Sequence, residues 1–360
     1  MLEPSQKTIA GSIGYGNGGL GQHLAQIIEE AREESTLARY YAPLIKPGDQ
    51  RVGCVVRERI SPLLFRYTPV RSSAGWKSHF GNELFDHAVA VNLAQGGTYV
   101  GFVGQSLKSF RRARQIGYRA LELEAANSHV RNVTQQHAKA FLKHGIESES
   151  WLNEAQCRKT EHEYQTADKI VVCSEYTRQT FLARGFPEEK LSLRRLATHS
   201  RFCPASERIN DGVFRVVYTG SLTVVKGIPV LLDAFSRLQG PAELTLIGGW
   251  ASGGMRRYLL ERIAQDPRIR LAPGDPLPYL QCANVYVHPT YEDGYAYAPM
   301  EALACGVPVI VTEDTGMKEH VREGVNGYVV PTGNWEAVLE RLQHLRQTPL
   351  RAATGDLASR

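Results

Sequence analysis

With 360 residues, 42% of them hydrophobic and 22% charged, the chain is long enough for two domains and has an ordinary globular composition, which excludes disordered and fibrous classes. A net charge of +5 and a pI near 8.8 suit anionic ligands or an anionic membrane face without announcing nucleic acid. Cysteines 54, 157, 173, 203, 282 and 305 show no Cys-x-x-Cys spacing, which argues against a zinc knuckle or a disulfide framework and for a reducing compartment.

The amino terminus, MLEPSQKTIAG, has no signal-peptide layout, and no run approaches the ~20 apolar residues of a membrane span, so any membrane contact is expected to be peripheral. In chain order, residues 7–13 read as a strand, 20–34 as a helix, 99–103 as a strand and 170–173 as a strand followed by a helix. The basic run KSFRRARQIGYR at 108–119 has helical spacing; it reads as a solvated helix face, with a membrane-surface patch as the alternative. Periodicity lapses near 204–211, where turn residues collect, which places a boundary between domains 1–205 and 206–360.

Beyond it, short β-branched runs alternate with amphipathic segments, the pattern of a parallel sheet wrapped by helices. Strands are expected at 214–219, 244–247, 269–271, 285–288, 307–311 and 327–330. Helices are expected at 228–238, 255–264, 278–282, 317–322 and 335–345. Both halves therefore read as α/β, doubly wound domains. No residue pattern specifies an oligomeric state.

In open parallel sheets, ligands bind beyond the carboxyl ends of strands, where loops enter helices. Three loops qualify. The first, GYGNGGLG at 14–21, includes Gly18 and Gly19 and satisfies the glycine spacing of a dinucleotide fingerprint, but no acid follows ~20 residues later at the end of a clear second strand. It reads as a phosphate-approaching loop or as a flexible turn. The second, GSLTVVKG at 220–227, is not a Walker loop, yet it sets Lys226 at a helix start, where an ammonium beside backbone amides suits a diphosphate; the plain alternative is a surface lysine.

The third is YEDGYAYAPMEALACGVPVI at 291–310. Pro299 suits a first helical position and Gly306 a carboxyl-terminal cap, which puts Glu301 in the first turn and Asp293 in the loop before it. A capping box for Glu301 needs a hydroxyl at 298, where the chain has alanine. Gly294 and Ala296 leave backbone amides accessible to an anion, while Tyr295 and Tyr297 either stack on a sugar or fill the core. Glu292 is expected to face water or to support the loop.

These segments, in this order and over nearly the whole chain, resemble the retaining glycosyltransferases of family 4. The resemblance implies the GT-B architecture, two Rossmann-like domains facing across a cleft, with the acceptor side in the first and the nucleotide-sugar donor in the second. The most specific match is 291–310, similar to the family's Glu-x7-Glu motif. Asp293 takes the place of the first acid, near the transferred sugar, because it alone lies eight positions before Glu301. Glu301 takes the ribose-binding place, and Lys226, with Gly220 and Ser221, the diphosphate-binding loop. His129, in EAANSH at 124–129, looks like the histidine that the first domain contributes near the donor sugar; on sequence alone it is a core or surface histidine.

Four departures from the family are legible, the first being an aspartate as the first acid, so that Glu292 and Asp293 compete for that role and the spacing favours Asp293. Ser221 stands where an arginine is usual, Leu196-Ala-Thr198 replaces Gly-Val-Asp, and the chain ends at Arg360 without the customary final crossover helix. The implied activity is retaining transfer of a sugar from a nucleotide sugar to an acceptor hydroxyl, with no cofactor and no metal, since no Asp-x-Asp spacing occurs. The acceptor would be a saccharide, lipid-linked or small, chosen near Gly18 to Gly21, Trp76, His129 and the basic helix. The expected setting is bacterial glycan synthesis in the cytoplasm or at the inner face of the membrane, without nucleic acid. Rivals on the same architecture are an epimerase or phosphorylase and a non-catalytic sugar-nucleotide-binding protein.

Overall fold

The computed structural model describes residues 6–56, 66–146, 150–207, 209–250 and 252–350. The chain forms two compact units: one comprises residues 1–134 and 149–196, the other 135–148 and 197–360. The segment 135–148, on the amino-terminal side of the sequence, thus belongs to the second unit, where Ala140 joins the core and Phe141 and Ile146 pack against it.

The first unit contains strands β1 (Lys7–Ala10), β2 (Leu37–Ala42), β3 (Gly53–Val55), β4 (Thr98–Phe102), β5 (Ala120–Ala125), β6 (Lys169–Val172) and β7 (Leu191–Leu193). They form a parallel sheet in the order β3-β2-β1-β4-β5-β6-β7. Its helices are α1 (Gly18–Glu33), α2 (Ala74–Asn92), α3 (Leu107–Gln115), α4 (Val130–His144, the last part of which belongs to the second unit), α5 (Glu154–Thr166) and α6 (Glu175–Leu182). The basic run therefore is helical over Leu107–Gln115, and Arg111, Arg112 and Arg119 are exposed. Strands β2, β3, β5 and β7 escape a reading by periodicity. Leu121, Leu123 and Ala125 of β5 alternate with Glu122 and Glu124, a pattern that also fits a polar surface segment, and Glu124 is in fact buried against His23.

The second unit contains β8 (Phe214–Thr219), α7 (Ile228–Ser236), β9 (Ala242–Ile247), α8 (Gly253–Gln265), β10 (Ile269–Ala272), α9 (Leu277–Cys282), β11 (Val285–His288), α10 (Tyr297–Ala304), β12 (Val309–Thr312), β13 (Gly327–Val330) and α11 (Trp335–Gln347). The parallel order is β10-β9-β8-β11-β12-β13. Every residue of β11 and β12 is buried, as expected for central parallel strands covered on both faces. The chain runs outward from β8 to β10, then returns to β11 on the other side of β8, so the carboxyl ends of β8 and β11 flank a switch point, where a crevice is built into this topology.

Helix starts in this unit follow local chemistry. Ser252 accepts from the Met255 amide (3.1 Å) and Asn334 from the Ala337 amide (2.9 Å), each satisfying a first-turn donor. Helix α7 begins differently: Gly227 has φ 70°, and a Cβ there would overlap the carbonyl oxygen of Pro289. Only glycine lets the loops after β8 and β11 approach this closely. The expected lack of a final crossover helix falls on residues 351–360, which lie outside the described residues. Among the described residues, no helix is long and apolar enough to cross a membrane.

Candidate active site

Lys226 and Asp293 are 67 positions apart, but the switch point brings the ends of β8 and β11 together. The Val225 carbonyl accepts from the Tyr291 amide (2.8 Å) and the Thr290 hydroxyl (3.3 Å), which stitches the two loops to each other. The Asp293 backbone is held from the other side, its amide donating to the Asp314 carbonyl (3.2 Å) and its carbonyl accepting from the Gly316 amide (3.0 Å). In effect the β11–β12 ladder continues past the strands and fixes the acid loop.

On this frame the Lys226 ammonium donates to Asp293 Oδ2 at 2.5 Å, and His288 Nε2 meets the same oxygen at 3.2 Å. Burial pushes the Asp293 carboxyl up, but Lys226 and His288 outweigh it and hold the acid well below the usual carboxylate range. Burial lowers the His288 pKa more than Asp293 raises it, so the neutral ring donates Nε2–H to the carboxylate. Its Nδ1 is buried without a hydrogen-bond partner among the described residues. The ring lies nearly parallel to Tyr218 (7°) and Tyr286 (20°), whose hydroxyls donate to the carbonyls of Ser221 and Thr219 (each 3.0 Å). The floor of the site is therefore a stack of rings tied to the β8 loop.

Helix α10 departs from the sequence expectation. It begins at Tyr297 with Ala296 as its cap residue, so Pro299 is its third residue rather than its first, and Glu301 lies two residues deeper than expected. The reason is backbone conformation: Ala296 takes φ 66° and ψ 103°, a sparsely populated region that an L-residue enters at a cost of ~1–3 kcal/mol and that no side-chain rule announces. Glu301 is buried at 6% exposure. Glu292 is buried as well, at 5%, which excludes the first of its two expected places, facing water, and leaves support of the loop. Gly306, at φ 73°, follows the helix end as expected.

Tyr295 is buried edge-on to Tyr297 (6.0 Å between centroids) and His320 (5.6 Å), while Tyr297 is half-buried. Gly294 is buried; Gly220 and Ser221 are exposed in the loop leaving β8. Among the expected site residues, the structure thus joins Lys226 directly to Asp293 and sets Gly294 to Tyr297 and Glu301 on the continuation of the same loop.

Residues 135–148 add contacts that the sequence gives no reason to expect. His144 Nε2 hydrogen-bonds the Tyr291 hydroxyl at 2.9 Å, two residues before Asp293, and Lys143 donates to the Gly333 carbonyl at 2.5 Å. His137 is pushed down to about 4, by burial first and then by the Lys226 charge, so it stays neutral beside the ammonium.

The remaining expected residues lie in the first unit. Gly18 and Gly19 are exposed at the start of α1, behind a turn in which a Cβ at Gly21 would press on the Gly14 carbonyl. His129 precedes α4, ringed by Tyr164 (5.0 Å), Phe181 (5.2 Å) and Phe186 (5.7 Å), and its Nδ1 accepts from the Arg131 amide (3.2 Å). Burial and then the Arg184 charge push its pKa down to about 4, which matches a ring that accepts at Nδ1.

A doubly wound unit that joins a lysine, a carboxylate and a neutral histidine at its switch point, beside a helix start, has the place of a ligand site in an open α/β sheet, with a helix start that suits an anion. More particularly, residues 213–348 match the family described as Glycosyl transferases group 1. Curated relatives include the capsular polysaccharide biosynthesis glycosyltransferase CapM of Staphylococcus aureus, 30% identical over 145 residues (38% of this chain, 37% of that one). Another is O-antigen chain mannosyltransferase B of Escherichia coli, 27% identical over 201 residues (50% and 52%). The chain spans about half or less of the length of these relatives.

Solved structures of GT-B glycosyltransferases share the fold. Sucrose-phosphate synthase from Thermosynechococcus elongatus superposes with a TM-score of 0.68 at 19% identity, covering 96% of this chain and 90% of that one. WaaG, a glycosyltransferase involved in lipopolysaccharide biosynthesis, gives 0.67 at 14% identity (95% and 90%). HepE of Anabaena, solved with UDP and glucose, gives 0.63 at 14% identity (95% and 90%).

Proposed function

We propose that the protein is a retaining, metal-independent glycosyltransferase that moves a sugar from a nucleotide sugar to an acceptor hydroxyl in bacterial polysaccharide synthesis. The observation that carries the reading is the Lys226–Asp293–His288 constellation at the switch point of the unit that matches the Glycosyl transferases group 1 family. Lys226 and the α10 amino terminus supply positive charge for a diphosphate, whose leaving oxygen gains charge as the anomeric bond breaks. Asp293, with its carboxylate fixed by two donors, meets a sugar hydroxyl, and Glu301 meets the ribose. His129, in the first unit, is the further residue assigned to the transfer step.

In the proposed step the bond between the anomeric carbon and the diphosphate oxygen breaks, and the acceptor oxygen bonds the same face of that carbon. The acceptor proton passes to the leaving phosphate, so no enzyme base is required. HepE, solved with UDP and glucose, supports the donor class. The names of the capsule and O-antigen relatives support a saccharide acceptor, free or lipid-linked. The exposed Arg111, Arg112 and Arg119 support peripheral contact with anionic lipid at the inner membrane face.

The test is a thermal-shift panel of UDP-, GDP- and ADP-sugars, followed by product analysis with chelator present and NMR assignment of the new anomeric centre. A donor that binds the folded state raises the melting temperature. Lys226→Ala and Glu301→Ala are expected to lose that shift. Full donor affinity and transfer in both variants, or an inverted anomeric product, refutes the corresponding part of the reading. Product formed from donor alone would favour an epimerase.

A further inference from the structure

The candidate active site of the second unit lies at the carboxyl ends of its strands. At the opposite end of the same sheet, helices α7 and α8 run out and the chain turns into β9 and β10. A cavity of about 710 Å³ opens there, within the ~300–1,000 Å³ range of small-molecule sites. No apolar residue lines it: Arg237, Arg262 and Arg268 face Asp233 and Asp266, with Ser236 and Gln265 between them. Such a lining suits a charged, hydrogen-bonding occupant rather than an apolar one.

The three guanidinium groups are not equivalent. Arg268 is committed to the protein: it donates to Asp266 through Nε (2.9 Å) and Nη2 (2.7 Å) and to the Leu238 carbonyl through Nη1 (2.7 Å), and its hydrogen bonds hold the Asp266 carboxyl below the usual range. Arg262 is partly committed. Its Nη1 donates to Asp233 (2.7 Å) and the Tyr258 hydroxyl (3.2 Å) and its Nη2 to the Ser236 hydroxyl (3.2 Å), while Nε–H meets no acceptor among the described residues. Arg237 spends only Nη1, on the Asp233 carbonyl (2.7 Å); the Asp233 carboxylate is 3.9 Å away and already taken by Arg262. The Arg237 guanidinium lies over the Trp335 ring, 4.2 Å from its centroid, and the side chain is 49% exposed. A guanidinium seated on a ring, with its Nε–Nη2 edge open, is a fork held ready for two oxygens of one anion.

The charge balance has the same sign. Three arginines against two aspartates leave the lining one positive charge in excess. Outside it, the Arg346 guanidinium packs against Gly240 and the exposed Glu336, next to Trp335, offsets it; burial pushes the His144 pKa down, so that ring, within reach of the Asp233 charge, adds none at neutral pH. Carbonyls at the ends of helices repel anions, but those nearest the cavity are already covered by donors. Arg237 covers Asp233, Arg268 covers Leu238, and the Asp266 amide covers Arg262 (3.1 Å). The open donors come from two directions, Arg237 after α7 and Arg262 on α8. A planar carboxylate can face one of them, whereas the non-coplanar oxygens of a phosphate can meet both.

We propose that this cavity is a second ligand site, which takes a phosphate-bearing small molecule, with the phosphate on the open edge of Arg237 and the Nε–H of Arg262 and the exposed Gln265 amide at the rim. It does not rest on the transferase reading, and it shares no residue with the Lys226–Asp293 site. The Arg237 seat supplies a local reporter. The experiment is 19F NMR on the full chain carrying 5-fluorotryptophan, in which the resonances of Trp76, Trp151, Trp250 and Trp335 are assigned by single replacements with phenylalanine. The probe is inorganic phosphate, titrated against sodium chloride and sodium acetate at matched ionic strength.

Phosphate is expected to move the Trp335 resonance saturably, chloride and acetate are not, and Lys226→Ala, which weakens anion binding at the candidate active site, is expected to leave the Trp335 response intact. Arg237→Gln should weaken the apparent affinity ~tenfold or more, since it removes a charge-assisted fork. Arg237→Lys, which keeps the charge but loses the fork, should fall between the two and serves as the second variant should Arg237→Gln fail to fold. The proposal is overturned if the Trp335 resonance shows no saturable response to phosphate, or if chloride or acetate reproduces it. It is equally overturned if the response disappears with Lys226→Ala or survives Arg237→Gln at full affinity.

Discussion

Replacing Lys226 with alanine isolates the contact on which the proposed function turns. The ammonium sits 2.5 Å from a carboxylate whose side chain is 15% exposed, and is itself 28% exposed. Breaking a fully buried pair costs ~3–5 kcal/mol and an exposed one ~0.2–1, so this intermediate pair should show a coupling of ~1–3 kcal/mol in a double-mutant cycle with Asp293→Ala. His288 still donates to Asp293 in the lysine variant, which favours the lower half of that range.

Ligand binding should separate the two partners by sign. A charge-assisted hydrogen bond to phosphate contributes ~1.5–3 kcal/mol, but Lys226 must be shared with Asp293, so ~1.5 kcal/mol, about tenfold in affinity, is the expected loss for UDP or GDP with Lys226→Ala. Asp293→Asn removes the competing carboxylate, so nucleoside-diphosphate binding should hold or tighten while sugar transfer falls. Denaturant titrations give the coupling, and isothermal titration calorimetry with UDP and GDP gives the affinities. A coupling below ~0.5 kcal/mol together with unchanged affinity for both diphosphates in Lys226→Ala would refute the reasoning.

The depressed Asp293 pKa also sets a pH dependence: its contribution to stability is present above the unfolded carboxylate value of ~4 and lost as pH falls through the folded value. Denaturation midpoints measured from pH 3 to 7 should therefore fall less steeply on the acid side for Asp293→Asn than for the natural chain. Gly227→Ala should cost ~2 kcal/mol or more, read by chemical denaturation, because its φ is 70° and the added methyl meets the Pro289 carbonyl. Glu163→Gln exchanges one accepting oxygen for an NH2 facing a backbone amide, and should lower stability by ~1–3 kcal/mol in the same assay. His144→Phe, which leaves the buried Tyr291 hydroxyl without its 2.9 Å partner, is expected to cost ~1–3 kcal/mol.

Much of the second unit was legible in the sequence because central parallel strands are short, wholly apolar runs punctuated by loops. Phe214–Thr219, Val285–His288 and Gly327–Val330 fall where the periodicity puts them. The first unit was harder. Its strand Ala120–Ala125 carries Glu122 and Glu124, and the buried Glu124 is compensated by His23 and Arg194, residues distant in sequence. His288 escaped notice for a related reason: at the end of an apolar strand it reads as core, and only its distance to Asp293 gives it a role.

What the sequence by itself determined is local: the alternation that makes doubly wound sheets, the loops that must carry ligands, and the eight-residue spacing of Asp293 and Glu301. Tertiary structure alone decided which of those loops meet. The return of the chain from β10 to β11 places Lys226 on Asp293, the αL turn at Gly227 permits that approach, and the strained Ala296 sets Glu301 two residues deeper than the helix rules indicate. Residues 135–148 join the second unit because their apolar face completes its core, a pairing that local periodicity does not encode. Spacing along a chain fixes which residues share an element; strand order and backbone strain fix which elements share a site.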